Sequence, residues 1–413
     1  MHIILIKHFF LKIVKILIVT VLISFKYIIP LFLFSFLIVN CNQTETTAAE
    51  KTYKIPQKPD VQSKIDSVKY KAEIYRLDTL FTKLYNANAF NGNVLIAKGK
   101  NIIYQKSFGY GIKQSNKLLN DSSIFQLASV SKVITGVATL LLYEQGKLNL
   151  ETKVCDILTD FPYKTITVKH LLSHRSGLPN YTYFCEDYLG VSVCNLSNQQ
   201  MLDIMIKHHP KAYLNPGLRF NYCNTNYALL ALIIEKISNK SYSNFLKEDL
   251  FIPLGMHHSY TALNIDSTKE HITCGYTMKF GCVANDRYDG VLGDKGIYTT
   301  TYDLFLLSTA LYQHKLLDNA TQQLAYTPHS FEKKLSNYGF GWRMKNMNDS
   351  TKEVFHNGWW HGYRTSFHRR LKDSLTIIVL SNRLNKCVYS TWPIYAAIDG
   401  PHLIGVKQEA EEE

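Results

Sequence analysis

Strand-like sequence stands at the two ends of this chain, and helical, loop-rich sequence fills the stretch between them. Near the start, Asn93 to Tyr104 reads as a hairpin; near the end, Arg364 to Leu371 and Ser374 to Leu380 read as two strands separated by Lys372-Asp373. Neither pair has the crossover of roughly a dozen residues that a parallel arrangement needs, so both are expected to be antiparallel. The two ends must then meet in one sheet. The fold class that follows is α+β, an antiparallel sheet built from both chain ends and flanked by helices, with a mostly helical inserted region. The chain shows no internal repeat.

The inserted region opens with Leu127-Ala128-Ser129-Val130-Ser131-Lys132, ahead of an apolar run from Val133 to Tyr143 that reads as a buried helix closed by Gly146. Ser129 is therefore expected at a helix N-terminus, where free N–H groups and the positive end of the dipole favour an alkoxide or a developing oxyanion. Three residues on, Lys132 falls on the same helix face. There it can hydrogen-bond the hydroxyl and help move the proton that a serine must lose before it attacks a carbonyl. A second Ser-x-x-Lys, Ser330 to Lys333, lies in polar sequence with no helix start and no apolar run after it, and reads as a solvated loop.

Tyr222-Cys223-Asn224 follows Pro216-Gly217 and precedes the apolar stretch Ala228 to Ile234, so it occupies a loop running into a helix. From such a loop Tyr222 can act as general base or acid, with Lys132 as the candidate neighbouring cation, and Asn224 can offer its amide to a substrate carbonyl. Tyr242-Ser243-Asn244 has the same pattern but sits within an amphipathic run, which makes Tyr242 a core residue. A third cluster, Phe355-His356-Asn357-Gly358-Trp359-Trp360-His361-Gly362, precedes the C-terminal strands. Gly358 permits close backbone approach by a ligand. The Trp359 amide is expected to pair with the Ser129 amide as an oxyanion hole, each donor worth roughly 3 kcal/mol, and His356 to line the cleft as a polar donor.

In order and spacing these clusters resemble those of the serine β-lactamase and penicillin-binding superfamily, in the branch of class C β-lactamases, DD-peptidases and family VIII esterases. Supporting segments span most of the chain: Phe90 to Ala97, Leu171-Leu172-Ser173-His174-Arg175-Ser176-Gly177-Leu178-Pro179, Pro253-Leu254-Gly255-Met256, Gly293 to Thr300 and Tyr338-Gly339-Phe340-Gly341-Trp342. The resemblance implies Ser129 as acylated nucleophile, Lys132 as its proton partner, Tyr222 as base and leaving-group acid, and Asn224 as substrate-orienting amide. It implies that the site lies between the sheet and the helical region, that His174 is structural, and that His356 and Gly358 belong to the third motif. Asp294 reads as a turn residue and Asp303 as a helix start. This sequence departs from the family pattern in His356, where true class C β-lactamases usually have lysine. It departs again in Cys223, and in bulky Trp359-Trp360, which are expected to narrow the cleft.

The first forty residues hold four lysines and no acidic residue, with apolar runs Ile16 to Phe25 and Tyr27 to Val39. They read as a signal peptide or membrane anchor, 1–40, rather than as fold. Leu37-Ile38-Val39-Asn40-Cys41 resembles a bacterial lipoprotein cleavage box, which makes Cys41 the lipidation candidate; one uncleaved anchor helix, Ile16 to Val39, is the competing reading. Either places the catalytic part outside the cytoplasm, in the cell envelope. A flexible linker over 41–64, a hydrolase domain over 65–405 and an acidic tail over 406–413 follow. Without residues 1–40 the net charge of +13 becomes 42 basic against 33 acidic residues, or +9, and no Lys/Arg-rich block of the kind that binds nucleic acid is present.

Of eight cysteines, Cys185 with Cys194 and Cys274 with Cys282 are close enough to bridge locally in an oxidising compartment, and unpaired thiols are equally compatible with the spacing. His208-His209 and His257-His258 are adjacent residues that point apart, and no His-Glu-x-x-His segment occurs, so neither metal nor cofactor is expected. A monomeric serine hydrolase is expected, acting through an acyl-enzyme on an ester, an amide or a peptidoglycan-type peptide. The alternatives are a non-catalytic envelope binding or sensor module on the same fold and, among enzymes, a β-lactamase or carboxylesterase.

Overall fold

The computed structural model describes residues 55–400, apart from 190–194, 267, 269, 331–335 and 347–351. Cys41 and the apolar leader, Cys194, Lys333 and the acidic tail lie outside the described residues.

Both chain ends enter one antiparallel sheet of seven strands: β1 (Gly92–Lys98), β2 (Asn101–Phe108), β3 (Ser336–Tyr338), β4 (Arg343–Asn346), β5 (Lys352–Trp360), β6 (Tyr363–Arg370) and β7 (Leu375–Ser381). Their spatial order is β2-β1-β7-β6-β5-β4-β3. The seam between the ends is β1 on β7, with Gly92 opposite Ser381 and Lys98 opposite Leu375. Both strands are buried at nearly every position because both faces of the sheet are covered. Val94, Ile96, Ile377 and Val379 join a smaller core on one side, while Leu95, Ala97, Ile378 and Leu380 join the main core on the other.

Five helices position the site: α1 (Lys71–Asn86), α2 (Ser131–Glu144), α3 (Asn224–Ser238), α4 (Thr301–Tyr312) and α5 (Trp392–Asp399). Leu77 and Phe81 of α1 and Ile394, Tyr395 and Ile398 of α5 fill the smaller core. α2 is buried without interruption from Ser131 to Leu142, the pattern of a helix enclosed on all sides, and it packs on α3 and its buried run Thr225 to Ile234. Tyr242 sits in the short helix Tyr242–Phe245 and shares a 2.6 Å hydrogen bond with Thr135 of α2, as a core residue does.

A small three-stranded sheet, Phe125–Gln126, Ile297–Thr299 and Tyr260–Thr261, leads the chain into α2. Residues 55–64 lie along the domain: Gln57 N donates to Lys315 O at 3.0 Å, Gln62 N to Lys100 O at 2.7 Å, and Asp60 pairs with Lys100 at 2.7 Å. No helix among the described residues is long and apolar enough to cross a membrane. The six described cysteines are free thiols, with Cys185 buried and with Cys274 and Cys282 side by side.

Candidate active site

Ser129 lies in a 3-10 turn, Ala128–Val130, that runs directly into α2. The preceding residue, Ala128, has a left-handed φ of 50°. For a residue with a Cβ this costs on the order of 1–3 kcal/mol, so the surroundings must hold it. They do so through Leu127, whose N–H donates to Ile297 O at 2.8 Å and whose carbonyl accepts from Thr365 Oγ1 at 2.6 Å.

Two side chains converge on the serine oxygen. Lys132 Nζ, fully buried one turn along α2, donates to Ser129 Oγ at 3.0 Å and to Asp294 O at 2.8 Å. Tyr222 OH donates to the same Oγ at 3.0 Å. In this state the hydroxyl accepts from both neighbours. Loss of a proton from either partner reverses that bond, and the hydroxyl becomes the donor, which is the state a general base requires.

The loop carrying Tyr222 is fixed by His174. Its Nδ1 accepts from Cys223 N at 3.2 Å and faces Asn226 Nδ2 at 3.0 Å, its carbonyl accepts from Asn221 N at 2.8 Å, and its ring lies 4.4 Å from that of Tyr222. Burial, then the charge of Lys132, holds the His174 imidazole well below its ordinary value, so it is neutral. Asn224 begins α3, and its Oδ1 is buried without a hydrogen-bond partner among the described residues.

His356 does not line the cleft as an open donor. It is buried, its Nδ1–H donates to Asn357 O at 2.7 Å, and its Nε2 accepts from Tyr338 OH at 3.2 Å. Burial, then the charge of Arg343, pushes it well below its ordinary value. The tryptophans also divide differently from expectation. Register pairs His356, Gly358 and Trp360 with Phe367, Thr365 and Tyr363, and sets Trp359 opposite Arg364 on the other face. Trp359 is 58% exposed there, with the Arg364 guanidinium 5.8 Å from its ring, so it leaves the cleft unfilled.

Gly358 faces the nucleophile. A methyl group there would lie 2.4 Å from both Leu127 O and Thr365 Oγ1, and 3.0 Å from Ser129 N. β5 therefore touches the backbone of the Ser129 turn, and only glycine fits. One functional candidate escaped sequence reasoning: Arg343 of β4, whose guanidinium lies 5.2 Å from the centre of the Tyr222 ring. A lone arginine in a four-residue strand carries no spacing signal.

A family model described as Beta-lactamase matches residues 77–397. The chain belongs to the β-lactamase family. Penicillin-binding protein 4* of Bacillus subtilis (strain 168) is 35% identical over 345 residues, 78% of this chain and 74% of that protein. The crystal structure of a penicillin binding protein from Bacillus halodurans superposes with a TM-score of 0.68 at 26% identity, covering 77% of this chain and 98% of that one. A class C β-lactamase, at 20% identity and a TM-score of 0.68 over 85% of this chain and 100% of its own, shares the fold. As a member of the β-lactamase family, the protein is a serine hydrolase that works through an acyl-enzyme.

Within this β-lactamase-family site, Asp294 does more than turn the chain. Its carbonyl is the second acceptor for Lys132, and its carboxylate lies 3.3 Å from Tyr181 OH and 3.7 Å from the buried Lys295 ammonium. Beyond it, Trp360 Nε1 donates to Asp289 at 2.8 Å. Asp286, Asp289 and His361 bring one potential metal-ligand atom each within 4.8 Å of one another. Burial opposes a charge on His361, but the carboxylates of Asp289 and Asp286, 3.1 and 3.7 Å from its Nε2, outweigh it and lift the imidazole to about 9. The cluster is thereby an ion-paired group of two carboxylates and an imidazolium.

Proposed function

We propose that Ser129 is the acylated nucleophile, acting on an ester, amide or peptidoglycan-type peptide that carries a carboxylate near the scissile bond. The observation that carries this reading is the Ser129 oxygen held at 3.0 Å by both Lys132 Nζ and Tyr222 OH. Tyr222, once deprotonated, takes the hydroxyl proton with Lys132 as neighbouring cation; Oγ bonds to the carbonyl carbon, and the oxyanion is received by the amides of Ser129 and Trp359. Tyr222 then returns the proton to the leaving group. Water repeats the sequence on the acyl-enzyme and frees the serine.

Asn224, whose buried amide oxygen has no partner among the described residues, orients the substrate. Arg343 supplies the positive charge that a neutral His356 does not, and a guanidinium in that position favours a substrate carboxylate. The expected site is the cell envelope, with attachment through a lipid on Cys41 or through the N-terminal apolar segment.

A fluorophosphonate or a fluorescent penicillin should label the folded wild-type protein covalently at neutral pH, Ser129→Ala should remove the label, and Tyr222→Phe should slow turnover by about 10² or more. A folded wild type that binds wall fragments tightly, takes no label and turns nothing over would be a binding module instead. For the anchor, cells fed a tagged fatty acid should yield labelled wild-type protein and unlabelled Cys41→Ser; equal labelling of both would rule Cys41 out.

A further inference from the structure

Away from the cleft, the Sγ atoms of Cys274 and Cys282 lie 3.5 Å apart. They need move only about 1.5 Å closer to reach disulfide bonding distance. Both belong to a small hairpin in which Val283 N donates to Gly275 O at 3.0 Å, Thr277 N donates to Gly281 O at 2.9 Å, and Tyr276 stands opposite Cys282. Side chains alternate along such a ladder, so Cys274, Tyr276 and Cys282 share one face. Tyr276 OH donates to Gln114 Oε1 at 2.7 Å and Gln114 Nε2 donates to Cys282 Sγ at 2.7 Å, which holds the outer thiol beside the inner one. Cys282 is exposed and Cys274 half-buried.

We propose that Cys274 and Cys282 are a modification site that closes to a disulfide by exchange with an external disulfide, small-molecule or protein-borne. The exposed Cys282 thiolate attacks the external S–S bond, forming a mixed disulfide and releasing one thiolate. Cys274 then attacks Cys282 Sγ, the intramolecular S–S bond forms, and the second thiolate leaves. The two thiol protons of the protein end on the two released thiols, so the pair is oxidised by two electrons and the external disulfide is reduced by two. Burial, then the neighbouring thiol, raises the Cys274 group above its ordinary value, which assigns the first attack to Cys282.

The closed pair would clamp the turn between β5 and β6. A methyl group on Gly275 would lie 2.0 Å from His361 O, and one on Gly362 would lie 2.3 Å from Tyr276 N. Asn382 Nδ2 donates to Cys274 O at 2.9 Å, and Tyr276 N donates to Asn382 O at 2.8 Å. The hairpin base is thus the support on which the end of β5, with Gly358 and Trp359, comes to rest.

The test is to incubate the full folded chain with oxidised glutathione and measure intact mass, followed by a non-reducing digest. The expected result is loss of two hydrogen masses, a cross-linked peptide joining 274 to 282, and a melting temperature that dithiothreitol lowers by about 5 °C. Cys282→Ala, at an exposed position, should melt alike with and without reductant. Both thiols remaining alkylatable after oxidation, a stable glutathione adduct on Cys282, or a cross-link from Cys274 to any other cysteine would overturn the proposal.

Discussion

Arg343 stands 5.2 Å from the Tyr222 ring as a cation additional to Lys132, whereas His356 has both ring nitrogens engaged and is held neutral by burial and by Arg343 itself. If it receives a substrate carboxylate, Arg343→Gln should raise KM about tenfold for substrates with a free carboxylate and leave kcat nearly unchanged, while esters lacking that group show no difference. An equal loss on both classes would assign Arg343 to fold rather than recognition. Ser129, Lys132 and Tyr222 were legible in the sequence because each has a chemical reason for its spacing. The environment of His356 was not: alternation along β5 gives its face, but the hydroxyl that occupies its Nε2 comes from Tyr338 on β3, two strands away in the sheet.

Between elements, the critical contact is β5 against the Ala128–Val130 turn, where Gly358 brings the strand against the backbone of Leu127 and Ser129. Gly358→Ala puts a methyl group 2.4 Å from two oxygens, so the strand or the turn must retreat. Overpacking of this kind costs about 1–3 kcal/mol, small enough for the protein still to fold. Covalent labelling should then slow by about 10² or more while circular dichroism stays native; labelling at the wild-type rate would remove β5 from the oxyanion site. The strands at the chain ends and the helix after Ser129 were readable because their apolar runs exceed one structural period. The small sheet of two- and three-residue strands that delivers Ser129, and the short strands β3 and β4, were not, since segments so brief hold no periodic pattern.

For the whole molecule, five histidines set opposing dependences on pH. Burial holds His174 and His356 well below 6.5, His170 below it and His329 at about 4, so in acid the unfolded chain binds protons that the native state refuses, and stability is lost as pH falls through about 6.5. His361 is raised to about 9, so its contribution is complete below 6.5 and is lost as pH rises from 6.5 to about 9. The urea midpoint should therefore peak near pH 6.5, and His361→Gln should flatten the alkaline limb while leaving the acid limb in place. A midpoint rising steadily to pH 9 would contradict this account. The β1–β7 seam, finally, joins residues 92–98 to residues 375–381. β7 is thus among the last strands to leave the ribosome, and this seam closes only after nearly the whole domain has been synthesised.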